Sequence, residues 1–471
     1  MSLSEIEPDD TVRSSPPSEQ RSRGWRLLIL RMHFYAGILV APFMIVAAVT
    51  GALYAMSPTI ERFVYRDVLT VEPRATTLPL SDQAGAARNV FPDLQMSGMR
   101  PQATDTESTR IYFSDPTLGE EELRAVFIDP YDGRVLGSET TWLGYLPLST
   151  WLDGFHRHLN LGEPGRVYSE LAASWLWVVA LGGVWLWIVK ARGERRRGRR
   201  GRLLSVDRGV NGRLRTMNWH GATGVWILAM LLFLSATGIT WSTYAGAHIT
   251  DIRAALNWQR PQLDTTMVHS EHHGTAAVSA ADPAGVDFDA VVAAAATEGV
   301  SRPLEITLPT GPGKSIGVTE IEKPYRLTTN AVALDPSTLS PTSTIDYRRD
   351  YSVIAKLADW GIRMHMGFLF GLLNQLLLLG VAVALLTVIV RGYRMWWQRR
   401  PTRGSRWALG RPPLRGGVRR LHPLTVILGA LAAVAMGWFL PLLGISLAVF
   451  LAVDGVIGAV KRRREGSAMT A

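Results

Sequence analysis

Two stretches lying 187 residues apart decide how this chain folds: HFYAGILVAPFMIVAAVTG (33–51) and HGATGVWILAMLLFLSATG (220–238). Each opens on a histidine, carries a glycine four residues later and closes on Thr-Gly, with no gap between the copies. Neither holds a charged residue, and each is about as long as a bilayer-spanning helix. A second set of matches follows. Phe127-Ile-Asp-Pro answers to Ala333-Leu-Asp-Pro, and His156 with Gly162 answers to His365 with Gly371 at an offset of 209. The chain therefore reads as two copies of one unit: a helix, a soluble segment, then a second helix. Both copies have the same orientation, because each crosses an even number of times.

The wider composition agrees. Of 471 residues, 47% are hydrophobic and 19% charged. The apolar residues collect in uncharged blocks at 32–60, 171–189, 216–250, 364–390 and 421–453, which excludes a purely soluble enzyme. There is no cysteine. Thiolate metal centres, disulfides and a Cys nucleophile are thereby excluded. The formal charge of +10 is unevenly placed. Lys190 to Arg215 holds 11 basic and two acidic residues, and Arg391 to Arg420 holds ten and none. By contrast 57–155 carries 15 acidic and 8 basic residues, and 242–362 carries 14 and 9. Basic short loops inside and acidic long segments outside follow the positive-inside rule, so the basic runs are read as membrane anchors and not as a nucleic-acid site.

These signals place a disordered tail at 1–24, transmembrane helix 1 at 25–56 and an outer module at 57–155. Helix 2 follows at 156–190, a basic loop at 191–216 and helix 3 at 217–243. A second outer module takes 244–360, helix 4 361–395, a second basic loop 396–420, a hairpin 421–460 and a tail 461–471. The hairpin is split by Pro441 and contains Asp454, a proton-linked or a snorkelling carboxylate. The first apolar block has no cleavage site after it and is read as a retained helix. Six spans result, with both termini cytoplasmic. Each outer module is expected to be α+β, with an Ala-rich helix (80–91 and 285–298) followed by strands. Those strands are Arg110 to Phe113 and Leu123 to Ile128 in the first module. In the second they are Leu304 to Leu308, Ser315 to Thr319 and Arg326 to Leu334.

Of ten histidines, four mark the starts of the long helices: His33 and His220 at the inner face, His156 (or His158) and His365 at the outer. Ionisable groups at membrane depth are costly and usually face a functional partner. The competing reading is that they snorkel to the headgroups. Neutral imidazoles paired across a helical bundle are ligands for b-type haem, and covalent c-type attachment is excluded without cysteine. Gly37 and Gly224 lie one turn past their histidines on the same face. Gly51 and Gly238 return to that face five turns on, a rise of about 27 Å. Such glycines clear space for a flat macrocycle, or else serve as helix–helix contacts. His269, His272 and His273 with Glu271 form either a transition-metal site or a solvated cluster. No phosphate loop, dinucleotide fingerprint or hydrolase triad is present.

His33 with Gly37 and Thr50-Gly51, FHRHLNLGEPGR (155–166), RMHMGFLFG (363–371) and the Asp-Pro turns at 129–130 and 335–336 resemble the PepSY-associated transmembrane family of iron-regulated membrane proteins. The resemblance covers about 25–395. It departs in two places: the second Asp-Pro turn lacks the following glycine, and the 421–460 hairpin is additional. The resemblance implies that the outer modules are PepSY domains. It also implies two non-covalent bis-His haems b, with His33 and His220 holding the inner one and His156 and His365 the outer one. His158 is an extra histidine beside the ligand position. The implied function is that of a bacterial inner-membrane ferric-siderophore reductase, receiving electrons from a separate cytoplasmic reductase or from quinol. Two other classes fit the same sequence: a membrane scaffold whose PepSY modules bind or inhibit proteases, and a siderophore or metal transporter.

Overall fold

A computed structural model describes residues 17–198, 201–267, 285–399, 413–414 and 421–469. His269, Glu271, His272 and His273 lie outside the described residues. In chain order the first elements are α1 (Pro17–Leu39), α2 (Ala41–Ala55), α3 (Ser57–Val64), α4 (Arg66–Leu69) and α5 (Leu80–Arg88). Strands β1 (Gln95–Arg100), β2 (Thr109–Ser114), β3 (Glu122–Ile128) and β4 (Val135–Trp142) follow, then α6 (Pro147–His158) and α7 (Glu163–Arg196). The second copy runs α8 (Gly212–Ile239), α9 (Tyr244–Ala255) and α10 (Phe288–Thr297), then β5 (Leu304–Thr307), β6 (Ile316–Glu320), β7 (Ala331–Leu334) and β8 (Pro341–Ile345). It ends with α11 (Tyr347–Asp350), α12 (Val353–His365) and α13 (Gly371–Trp397), and α14 (Pro423–Phe439) and α15 (Pro441–Met469) close the chain.

Four helices among the described residues are long and apolar enough to cross a membrane: α7, α8, α13 and α15 up to Val460. The pair α1–α2 makes a fifth if counted as one bent span, whereas α14, at 17 residues, falls just short of that length. That is four or five spans against the six expected. The protein is a multi-pass membrane protein of apolar helices joined to an antiparallel sheet. The tail expected to be unstructured as far as residue 24 is helical from Pro17.

The residues divide into two compact units, one of 1–45, 170–235 and 384–471, the other of 46–169 and 236–383. The helix expected at 25–56 breaks after Leu39, and its halves meet at 57°. Pro42 is the cause. It has no N–H for the carbonyl of Ile38 four residues back, and its ring crowds that carbonyl. The hydroxyl of Tyr393 donates to the freed Ile38 oxygen at 2.9 Å. Tyr393→Phe is therefore expected to cost about 1 kcal/mol in wild type. In a Pro42→Ala background, where the helix can supply its own donor, the cost should fall towards zero; thermal melts of the four proteins measure this cycle. Equal costs in both backgrounds would refute the exchange.

The closing helix α15 is held in the same unit by three contacts of different chemistry. Asp454 pairs with Arg31 of α1, whose other nitrogen donates to the Pro413 carbonyl at 2.8 Å. The indole of Trp175 donates to Ser446 Oγ at 2.8 Å, and Phe450 packs on Tyr35 with ring centres 5.2 Å apart. Asp454 is thus an ion-pair partner and not a lone snorkelling carboxylate.

In the second unit the two expected modules are one body. All eight strands form a single antiparallel sheet in the order β4-β3-β2-β1-β5-β6-β7-β8. The halves join at β1 and β5, where Gly98 pairs with Thr307 and Met99 with Ile306. A Cβ at Gly98 would come within 2.4 Å of the Ile306 carbonyl oxygen, so the joint needs glycine. Both Ala-rich helices feed one core: Leu80, Ala84 and Ala87 of α5 and Phe288, Val291 and Ala295 of α10 pack with Met99, Ile111, Val126, Ile306 and Val318. Each large apolar side chain buried there contributes roughly 1.5–3 kcal/mol.

The duplicated Asp-Pro turns close in the same way. Gly133 N–H donates to Asp129 O and Leu339 N–H to Asp335 O, both at 2.9 Å. Leu339, standing where the first copy has glycine, still adopts φ +55°, against +73° for Gly133. The side chain of Leu339 packs on the shared core, which offsets the strain.

Candidate functional site

The four histidines form two pairs, one within each unit. In the first unit His33 of α1 and His220 of α8 have ring centres 6.1 Å apart with planes at 77°. His33 Nδ1 lies 3.0 Å from the Val179 carbonyl of α7, and His220 Nδ1 lies 2.9 Å from the Val388 carbonyl of α13. A carbonyl can only accept, so Nδ1 carries the proton in both rings and Nε2 keeps its lone pair. One turn beyond each carbonyl stands a glycine. A Cβ at Gly183 would lie 2.8 Å from His33 Cε1, and one at Gly392 3.6 Å from His220 Cε1.

In the second unit His156 and His365 have ring centres 6.4 Å apart with planes at 49°. The tether here is a hydroxyl. Thr50 Oγ1 lies 2.9 Å from His156 Nδ1, and Thr237 Oγ1 lies 2.6 Å from His365 Nδ1. Thr50 gives its own proton to the Val46 carbonyl at 2.8 Å, so it accepts from His156, and again Nε2 is left with the lone pair. The following glycines face the rings: a Cβ at Gly51 would sit 2.9 Å from His156 Cε1, and one at Gly238 3.5 Å from His365 Cε1. Trp241 stands edge-on to His365 at 5.7 Å.

The placement differs from expectation in two respects. His156 and His365 do not begin spanning helices. They lie at the ends of the short helices α6 and α12, and α7 and α13 start only after a break. Leu159 and Asn160 take φ of 54° and 52° in the first break, and Gly367 and Gly371 are positive in the second. Gly51 and Gly238 touch the ring of the nearby pair and so place it, whereas a Cβ at Gly37 or Gly224 would meet nothing within 4 Å. His158 is not the ring facing His365. Its Nδ1 is buried with no hydrogen bond among the described residues. Val179 with Gly183, and Val388 with Gly392, escaped the sequence reading, although both pairs obey the 209-residue offset.

Each ring is thus fixed at Nδ1 and packed on a neighbouring helix, while Nε2 makes no hydrogen bond among the described residues. Tethering through Nδ1 is how ligand histidines are usually oriented. Among the described residues no group of three or more His, Asp or Glu could hold a metal ion. Two imidazoles alone would leave a bare ion under-coordinated, but a tetrapyrrole supplies its own four nitrogens and asks only for two axial ligands. With metal–nitrogen bonds of about 2 Å, such ligands have ring centres about 6 Å apart. Both pairs meet that requirement.

A family model of the PepSY-associated TM region matches residues 30–399. The chain belongs to the PepSY-associated TM region family. All four histidines of this PepSY-associated TM chain, with their threonines, valine carbonyls and glycines, lie within the matched region. The α14–α15 hairpin lies beyond its end at 399 and is an addition to the family core. No curated protein matches the chain.

Proposed function

We propose that this protein is an inner-membrane electron-transfer protein carrying two haems b, one of which His33 and His220 would hold and the other His156 and His365. The carrying observation is that both pairs share one design, a tethered Nδ1 over a glycine, with Nε2 left to bind. When bound, haem b would supply reversible one-electron transfer, from a cytoplasmic reductase or quinol to a ferric siderophore held by hard oxygen donors outside. The residues of the chain set the tautomer and hold the ring planes of the half-buried pairs. The positive-inside rule supports a cytoplasmic side for the basic loops at 191–216 and 396–420 and an outer side for the acidic segments 57–155 and 242–362.

The test is the reduced-minus-oxidised visible spectrum of protein purified from cells given ample iron. About two b-type haems per chain are expected. A folded, colourless preparation would end this reading.

A further inference from the structure

One face of the sheet carries a row of charge that the fold leaves unbalanced. Phe127 of β3, Arg110 of β2 and Arg100 of β1 stand opposite one another in register. Arg100 reaches on to Glu305 of β5, its Nε and Nη2 donating to Oε2 at 3.1 and 2.7 Å. Like charges directly opposite on neighbouring strands destabilise a sheet, and Glu305 answers only one of the two arginines. Arg110 lies with its guanidinium 5.5 Å from the Phe127 ring centre and enters no ion pair among the described residues. The carboxylates that face it are Glu61 of α3 and Glu107. Glu61 is engaged elsewhere, accepting from Ser149 N–H at 2.9 Å. Burial first, and Arg100 second, push Arg110 below the usual guanidinium range, as expected of a cation short of counter-charge.

Tyr112 lies two residues on from Arg110 in β2 and so on the same face. It is 2% exposed, and its hydroxyl makes no hydrogen bond among the described residues, which costs stability. Over it runs the turn from Trp142 to Tyr145, closed by Tyr145 N–H on Trp142 O at 2.9 Å, with Gly144 at φ +80°. From the point where a Cβ on Gly144 would stand, Arg100 Nη2 is 2.9 Å away, Tyr112 Oη 3.6 Å and Glu305 Oε2 3.7 Å. Three polar ends thus converge beneath one glycine. The row stays open to solvent at the Arg100 and Glu305 side chains, which are 23% and 33% exposed. Tyr145, next in the turn, stacks on Phe368 with ring centres 6.2 Å apart, and Phe368 is three residues past His365. The helix that follows the turn, α6, carries His156. The turn therefore links this face of the sheet to both outer histidines.

We propose that Arg110, Arg100 and Tyr112 form a carboxylate-binding site whose ligand is a ferric chelate built on carboxylates. The proposal rests on the electron-transfer reading above and narrows its acceptor. The planar fork of Arg110, backed by Phe127, takes a carboxylate through two parallel N–H bonds. The Tyr112 hydroxyl, at the inner end of the site, donates to the same group. The anion balances the two facing guanidinium groups and gives the orphaned phenol an acceptor, so features that cost the fold stability become contacts. Glu305 holds Arg100 back from the ligand and repels a second carboxylate, so it limits affinity. A cationic chelate meets like charge at this row.

The test is isothermal titration calorimetry of the full chain in detergent, with ferric dicitrate as probe and cationic ferrioxamine B as comparison. Wild type should bind ferric dicitrate with an affinity that falls as salt rises, and should bind ferrioxamine B far more weakly. Arg110→Gln should weaken dicitrate binding roughly tenfold or more. Arg110→Lys should lose less, because it keeps the charge without the fork, and Tyr112→Phe should lose severalfold. Glu305→Gln should act in the opposite direction and tighten binding by releasing Arg100. A folding defect cannot move two variants in opposite directions. No dicitrate binding to wild type, unchanged affinity in Arg110→Gln, or weakened binding in Glu305→Gln would each overturn the proposal. Haem content is read in the same samples. A chain without haem that binds dicitrate through Arg110 fails the earlier reading alone, whereas a dihaem chain indifferent to Arg110→Gln fails this one alone.

Discussion

On the two-haem reading proposed above, replacing His365 by alanine is expected to leave about one b-type haem per chain in place of two, because a bis-imidazole site that loses one ligand holds its macrocycle weakly. His156→Ala should give the same result, since the two rings form one pair. His33→Ala and His220→Ala should each remove the other haem. His158→Ala is the discriminating control: its ring does not face His365, and both haems should stay. The threonines give a graded form of the prediction. Thr50→Val or Thr237→Val leaves the ligand but removes the tether at Nδ1, and loss of such an orienting partner typically lowers affinity about 10–100-fold. Pyridine haemochrome content, with haem transfer to an acceptor protein as the affinity readout, measures all of these. Haem loss in His158→Ala with retention in His156→Ala would reverse the assignment.

The duplication was legible because membrane helices leave few residues free to differ. A histidine, a threonine or a glycine on an apolar background stands out, and ring packing fixes its spacing. The same logic could have reached Val179-Gly183 and Val388-Gly392, but a valine carbonyl has no side-chain signature, and a glycine in an apolar run is ordinary. The breaks after α6 and α12 were hidden for a different reason. Leu159 and Asn160 enter left-handed backbone in a stretch that composition marks only as polar, and hydropathy cannot separate a short amphipathic helix from the span it precedes. Pro42 was the visible warning of the bend in α1–α2. The fusion of the two soluble segments was not readable at all. Gln95–Arg100 has Ser-Gly at its centre and no alternation of period two, so β1 gave no strand signal, and β1 is the strand that joins the halves.

Asp359→Ala is expected to destabilise the end of α12 by about 3–5 kcal/mol, the range found when one partner of a buried ion pair is removed. Arg363 is 1% exposed and Asp359 10% exposed, and they pair one turn apart on the same helix. Without the carboxylate, the guanidinium keeps only the Arg326 carbonyl, and the Tyr347 hydroxyl loses the acceptor it has at 2.9 Å. Neither group can reach water without opening the segment. Arg363→Met should be milder, because Asp359 is less buried and retains Tyr347 as donor. The double variant Asp359→Ala/Arg363→Met should recover much of the loss, since no uncompensated charge then remains. Amide hydrogen exchange resolved over 353–371 and 321–330 measures the effect locally. Because the β6–β7 loop hangs on Arg363 through Arg326, protection should fall in both segments together for Asp359→Ala and return together in the double variant. Additive losses in the double variant would mean that the pair contributes nothing as a pair, and that the loop is held by Tyr325 N–H on Leu369 O and Trp360 Nε1 on Leu327 O alone.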